Sequence, residues 1–381
     1  MTTTSPRVLS VATAVPRHCV SQETARDFAR LMFSETYRDV ERLLPIFDNA
    51  NIDNRHFCVP PEWFGEDHTF PEKNALYIKH ALDLSEKAAT RALDKVGVAP
   101  EEVGAIFFVS TTGISTPSLD SKLIFRLGMS EQTRRVPVWG LGCAGGAGGL
   151  ARAADYVRAY PEKPVLLVGV ELCGLTFVRG DRSKSNLVGT SLFADGAAAV
   201  LLGGEAGGRG PELHGSYSTT WPETEDVMGW DLVEAGLQVR FAKSVPQIVH
   251  EKMRGNLQDA CLSLGLGLEN LRHFVLHPGV PRFSKPTRRR SDSSRASWNS
   301  PGRYSGTTET CPASPCCSSW SDSWMTTRRE AASTGASRPW DQASPPSTFC
   351  SDADALWPAS EPSPLGGQLL LRVVLGTLVE C

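Results

Sequence analysis

The chain predicts an α/β fold built on a mostly parallel sheet covered on both faces. Continuous apolar runs of strand length recur along it, as strands buried on both faces require. Segments with apolar residues at helical spacing separate those runs, and strands alternating with helices specify that architecture. The length of 381 residues allows two or three domains, or one large repeat of two similar halves.

The elements follow in order. Val8 to Val15 reads as a first strand rather than a signal peptide, because Met1 to Arg7 offers no basic region and no long apolar core follows. Ala81 to Val96 carries apolar residues at helical spacing and ends at Gly97. Ala105 to Ser110 is a buried strand, and Thr111 to Pro117 makes the turn after it. Val136 to Trp139 reads as another buried strand, and Leu150 to Val157 as a helix with one apolar face. Further strands are predicted at Pro164 to Val170 and Gly196 to Leu202. A glycine-rich joint from Gly203 to Gly210 opens a second half, with a helix at Val245 to Leu264 and a strand at Phe274 to Leu276 that runs into His277-Pro278-Gly279.

Between the Val136 strand and the Leu150 helix stands Gly140-Leu141-Gly142-Cys143-Ala144-Gly145-Gly146-Ala147-Gly148-Gly149. This places Cys143 at a helix N-terminus, where unpaired backbone N–H groups and the helix dipole favour a thiolate and make it nucleophilic. Taken alone, the segment also suits a structural cysteine on a close-packed helix.

Composition narrows the function classes. A formal net charge of -3 leaves no electrostatic footprint for nucleic acid or an anionic membrane. No stretch approaches the roughly 20 apolar residues of a membrane span. Ten cysteines without close regular spacing before residue 280 fit reduced thiols in a cytoplasmic protein.

After Gly279 the chain changes character: residues 280–381 hold no isoleucine, no histidine and a single lysine, while Ser, Pro and Arg accumulate. A disordered tail has such a composition. Yet it is also poor in tryptophan, and this segment carries Trp298, Trp320, Trp324, Trp340 and Trp357.

Four ordered motifs, Trp139 to Gly146, Ser191-Leu192-Phe193-Ala194-Asp195-Gly196-Ala197, Glu225 to Asp231 and His277-Pro278-Gly279, resemble the type III polyketide synthases, the chalcone-synthase-like family. The likeness covers residues 7–279 and is greatest to bacterial members that make alkylpyrones from long acyl starters. It implies a thiolase-like fold of two pseudo-repeated αβαβα halves. The first half would span residues 1–205 and the start of the second 206–279, leaving 280–381 as a non-native or disordered tail.

The family expects a helix rich in Ala, Glu and Leu, a Gly-Asn-Met-Ser-Ser turn with a catalytic asparagine, and a closing Gly-Pro-Gly-Phe segment. A reading-frame change near Gly279 recovers all three. In the shifted frame each hidden codon takes the third base of one written codon and the first two of the next. Lys285 to Ser293 then admits Ala-Tyr-Glu-Glu-Ala-Leu-Gly-Leu, Thr307 to Ala313 admits Tyr-Gly-Asn-Met-Ser-Ser, and Arg338 to Ser347 admits Ala-Leu-Gly-Pro-Gly-Phe-Ser-Ser-Glu. The hidden asparagine straddles Glu309 and Thr310.

The resemblance implies an acyltransferase that needs no cofactor or metal, takes acyl-CoA and malonyl-CoA as substrates, and works as a homodimer. Cys143 would carry the acyl chain as a thioester, and His277 would pair with the thiolate and donate to the reacting carbonyl. Phe193 matches an aromatic guarding the passage to the cavity, although a core phenylalanine also fits that position. Val239 stands at a second gate, widening the entrance, and Gly229 at the cavity floor, which together favour a long flexible starter. Cys173 and Thr176 match cavity-lining positions, Arg55 and Lys243 the basic residues for coenzyme A phosphates, and Thr111 to Pro117 the loop crossing the dimer interface. The cluster Cys311, Cys316, Cys317 has no partner histidine and is out of frame, so it predicts no metal site. Two other readings stay open: an acyl-carrier-protein ketosynthase of the same fold, and a catalytically dead thiolase-fold protein that binds acyl-CoA.

Overall fold

The computed structural model describes residues 5–204, 210–271, 275 and 277. Strand β1 (Arg7–Ala14) is followed by the short β2 (His18–Ser21), helix α1 (Gln22–Ser34), the single turn α2 (Pro45–Asn49) and β3 (Asn54–Phe57). Helix α3 (Phe70–Asp94), β4 (Ala105–Val109), α4 (Leu119–Leu127), β5 (Arg134–Val138), α5 (Gly145–Ala159) and β6 (Val165–Leu172) come next. Helix α6 (Lys184–Leu192), β7 (Asp195–Gly203), β8 (Met228–Val233), β9 (Gly236–Phe241) and α7 (Val245–Ser263) complete the described elements.

Five strands form one sheet in the order β1-β7-β6-β4-β5. Its two sides match the continuous apolar runs, since successive side chains of a strand point to opposite faces. Ile106, Phe108, Leu166 and Val168 pack with Ala81, Leu84, Ala88 and Ala92 of α3. Ala105, Phe107, Val109 and Leu167 pack with Leu150, Ala153, Ala154 and Val157 of α5 on the other side. The result is a three-layer α/β/α half. Helix α3 starts eleven residues before the predicted Ala81, because Thr69 and Glu72 form a reciprocal capping box and Pro71 occupies the first turn.

One expectation is borne out and one is corrected. The sheet is mostly parallel, as expected: β1, β4, β5 and β6 run in one direction and β7 alone is antiparallel to its neighbours β6 and β1. The strand expected at Val136 to Trp139 is not buried, because β5 is the sheet's edge and its residues are exposed or half-exposed. Outside the sheet, β2 pairs with β3 and β8 with β9, both antiparallel. The predicted helix at Val245 to Leu264 is α7. Part of the glycine-rich joint, most of the predicted Phe274 to Leu276 strand, and all of 280–381 with its hidden asparagine and cysteine cluster lie outside the described residues. No helix among the described residues is long and apolar enough to cross a membrane.

Candidate active site

The chain reaches Cys143 from the end of β5 through Gly142, whose φ of +52° is open to glycine and strained for other residues. A 3-10 turn, Gly142–Ala144, then leads directly into α5. Cys143 is exposed at that helix entry, ahead of the first unpaired N–H groups. Two glycines let α5 lie close on the sheet. A Cβ on Gly145 would stand 2.5 Å from Val109 Cγ1, and one on Gly149 would stand 2.8 Å from both Val109 and Leu167. Gly149→Ala is therefore expected to destabilise the fold by about 1–3 kcal/mol through overpacking, read as a lower denaturation midpoint.

His277 hydrogen-bonds to Cys143. Loss of water around the imidazole pulls its pKa down, but the hydrogen bond to Cys143 and the thiolate charge prevail and raise it above the ordinary value. This is the pairing that a nucleophilic thiolate needs.

Glu171, at the end of β6, completes the surroundings and was not singled out in the sequence. Its buried carboxylate accepts hydrogen bonds from Thr111 N at 3.0 and 3.1 Å, and from Thr111 Oγ1 and Thr112 Oγ1 at 2.8 Å each. Burial pushes its pKa up, the threonine donors pull it down, and the nearby Cys143 charge adds to the rise, leaving it at about 7. The signal was legible: one acid closes a six-residue apolar run, and fully buried acids are rare unless partnered. Asp195 is a second buried carboxylate. It accepts from Cys58 N at 2.9 Å and Gly174 N at 2.7 Å, so it staples the 3-10 turn Cys173–Thr176 to β7.

That turn carries Cys173 and Thr176, both buried. Thr176 lines a small cleft with Thr112, Leu175, Leu237, Lys73 and Asn74, while its hydroxyl donates to Cys173 O at 2.8 Å. Lys73 Nζ donates to Phe177 O at 2.6 Å and Ala235 O at 3.0 Å, tying the cleft to the β8–β9 turn. Burial lowers its pKa to about 8.

Phe193 follows α6, and its ring centre lies 6.0 Å from that of Trp230 and 5.8 Å from that of Phe241. Val239 reaches the same region, for a Cβ on Gly189 would meet Phe193 at 3.4 Å and Val239 Cγ1 at 3.6 Å. Gly229, expected at the cavity floor, does not face Phe193. Residues alternate along β8, so Gly229 falls beside Arg240 on the opposite face while Trp230 meets Phe193. Val239 is paired directly across the hairpin from Trp230.

Arg55 is also corrected. It is 3 % exposed and turned inward, where Nη1 donates to Thr190 O at 2.5 Å and Phe193 O at 3.1 Å. A cation belongs at a helix C-terminus, and this one caps α6 and holds the Phe193 backbone rather than facing a phosphate in solvent. Burial lowers its pKa to about 10. Arg55→Ala strips two carbonyls of a charged donor and is expected to destabilise the chain by about 2–4 kcal/mol, measured by thermal or denaturant unfolding. Lys243 stays exposed in the turn between β9 and α7.

Residues 2–206 match the family model for chalcone and stilbene synthases, N-terminal domain. A chalcone synthase-like protein of Bacillus subtilis (strain 168) is 44% identical over 284 residues, covering 71% of this chain and 78% of its own. A polyketide synthase-like protein of alpha-pyrone synthesis from Mycobacterium tuberculosis is 27% identical, over 74% of each chain. Among solved structures, 1,3,6,8-tetrahydroxynaphthalene synthase of Streptomyces coelicolor A3(2), a bacterial type III polyketide synthase, superposes with a TM-score of 0.69 at 30% identity, covering 72% of this chain and 78% of that one. With its thiolase-like α/β half and a paired cysteine at the entry to α5, the chain belongs to the chalcone and stilbene synthase family, the acyltransferases known as type III polyketide synthases.

Proposed function

We propose that the chain condenses malonyl units by decarboxylation onto a long-chain acyl group taken from coenzyme A, yielding alkylpyrones or related products. The hydrogen-bonded pair of Cys143 and His277 carries this reading. The Cys143 thiolate attacks the acyl-CoA carbonyl, a Cys143 thioester forms, and the coenzyme A thiolate leaves with a proton from His277. Malonyl-CoA then loses carbon dioxide, and His277 donates a hydrogen bond to the developing enolate oxygen. Attack of the enolate carbon on the Cys143 thioester transfers the extended chain to coenzyme A and frees the thiolate. No resident metal or cofactor takes part.

Lys243 supplies a cation for the coenzyme A phosphates from its exposed turn. Thr176 and Cys173 border the path of the acyl chain. The working unit is a homodimer that buries the exposed Ile114 and Trp139 around the Thr111 to Pro117 loop. Cys19, Cys58, Cys143, Cys173 and Cys261 carry no disulfide, which suits a reducing cytoplasm.

A second reading rests on the written sequence after Gly279. Without the Gly-Asn-Met-Ser-Ser turn the site lacks an oxyanion donor, a loss worth about 10²–10³ in rate, and the chain then only binds acyl-CoA. Incubating the full chain with labelled malonyl-CoA and a long acyl-CoA separates the readings. Pyrone formation supports the synthase. Pyrone only after restoring the Gly-Asn-Met-Ser-Ser frame supports a frame change near Gly279, and no product from either chain contradicts the synthase reading. Sequencing the DNA across the codons for His277 to Lys285 tests the frame directly.

A further inference from the structure

The acid beside Cys143 is held by a loop that α3 holds in turn. Thr111 and Thr112 donate to both oxygens of Glu171, and Thr112 Oγ1 also accepts from Leu172 N at 2.8 Å. The two threonines lie between points where the first two turns of α3 grip the chain. Before them, Tyr77 Oη donates to Ser110 Oγ at 2.8 Å. After them, the Tyr77 ring lies against Gly113, where a Cβ would collide with it, and Trp139 Nε1 donates to Gly113 O at 3.2 Å. Asn74 stands one turn before Tyr77 on the same face of α3. Its Nδ2 donates to Ile114 O at 2.9 Å while its Oδ1 accepts from Ile114 N at 2.8 Å. One amide thus satisfies both backbone groups of one residue, which fixes orientation as well as distance. Asn74 is half-buried and Ile114 is 43 % exposed. Water would satisfy the same backbone groups, so the clasp contributes position more than stability.

We propose that Asn74 is a positioning residue of the active site, clasping Ile114 so that Thr111 and Thr112 keep their hydrogen bonds on the Glu171 carboxylate beside Cys143. A reacting group is placed only as well as the residues that hold its neighbours. With its donors in place, Glu171 presents a fixed charge next to the nucleophile. With the loop adrift, the buried carboxylate loses the bonds that offset its desolvation. Cys143 and Tyr77 are the other titratable groups facing Glu171, and His277 faces Cys143. The clasp concerns the surroundings of the nucleophile and not the acyl donor, so its test needs no turnover and stands apart from the acyl-transfer reading.

The test measures the melting temperature of the full chain from pH 5 to pH 9 for Asn74→Ala, for Glu171→Gln and for the two combined. Asn74 does not titrate, so a merely structural loss lowers the melting temperature equally at every pH. A loss that acts through Glu171 instead grows as the carboxylate ionises, by about 2–4 °C between pH 5 and pH 9. In the Glu171→Gln background the loss from Asn74→Ala should stay level, because glutamine takes no charge. That comparison also cancels the titration of Cys143, Tyr77 and His277. Hydrogen exchange at the Thr111 amide gives a second reading, expected to accelerate about five- to tenfold in Asn74→Ala as its bond to Glu171 opens more often. A level loss for Asn74→Ala alone, an equal growth in the Glu171→Gln background, or an unchanged Thr111 exchange rate overturns the clasp.

Discussion

Glutamine in place of His277 is expected to slow alkylation of Cys143 by iodoacetamide at pH 7 about ten- to thirty-fold. The thiolate is the reactive form, and an isolated cysteine with a pKa near 8.5 is only about 3% ionised at pH 7. In the paired site His277 bonds to Cys143 and its own pKa rises in response. The same interaction viewed from sulfur favours the thiolate over the thiol, because the coupling energy is shared. Glutamine keeps a hydrogen-bonding group near the site but carries no charge. The variant should therefore lose reactivity at pH 7 and regain it above pH 9, while the unsubstituted chain holds a plateau through neutrality. The entry to α5 retains part of that preference, which sets the lower end of the range. A change smaller than threefold would mean that the pair is structural.

The second large effect concerns pH and stability. Glu171 has a folded pKa of about 7, above its ordinary 4.5, and Asp195 about 6, above 3.8. Between each ordinary value and its raised value the folded chain binds more protons than the unfolded chain. Stability is thus fullest at low pH and falls as pH rises through those windows. His277, also raised, acts in the same direction. At about 1.4 kcal/mol for each pH unit, Glu171 alone removes on the order of 3 kcal/mol between pH 4.5 and pH 8. Glu171→Gln is uncharged at every pH, so its melting temperature should decline far less over that range. Removing the carboxylate charge from beside Cys143 should also shift the alkylation profile to lower pH. An equal slope in both proteins would show that Glu171 is not the titrating group.

What was legible in the sequence follows from which signals are local. The strands β4 and β6 could be read because five or more apolar residues in succession have few other solutions, and Cys143 because glycine crowding and the following helix lie within ten residues of it. Edge position is not local: the β5 sequence Arg-Arg-Val-Pro-Val is only half apolar and carries a proline, which suits an edge better than a buried strand, yet its place beside β4 alone is set by topology. The face of a strand is local but unforgiving. Gly229 was expected at the cavity floor, yet Trp230, one residue on, is the one that meets Phe193, and a one-residue step exchanges the two faces of a strand. Arg55 misled for another reason, since arginine is mostly exposed and its partners, the carbonyls of Thr190 and Phe193, are more than 130 residues away. Glu171 went unnoticed because its threonine donors come from the loop after β4, sixty residues earlier in the chain.

The central claim is that Cys143 is an acyl-accepting thiolate. Its most direct test is intact-protein mass spectrometry of the full chain after exposure to decanoyl-CoA, followed by peptide mapping of the added mass. The account predicts one decanoyl group per chain, removed by hydroxylamine and located on the peptide containing Cys143. Acylation confined to Cys173 or another cysteine, or no acylation while Cys143 still reacts with iodoacetamide, would contradict it.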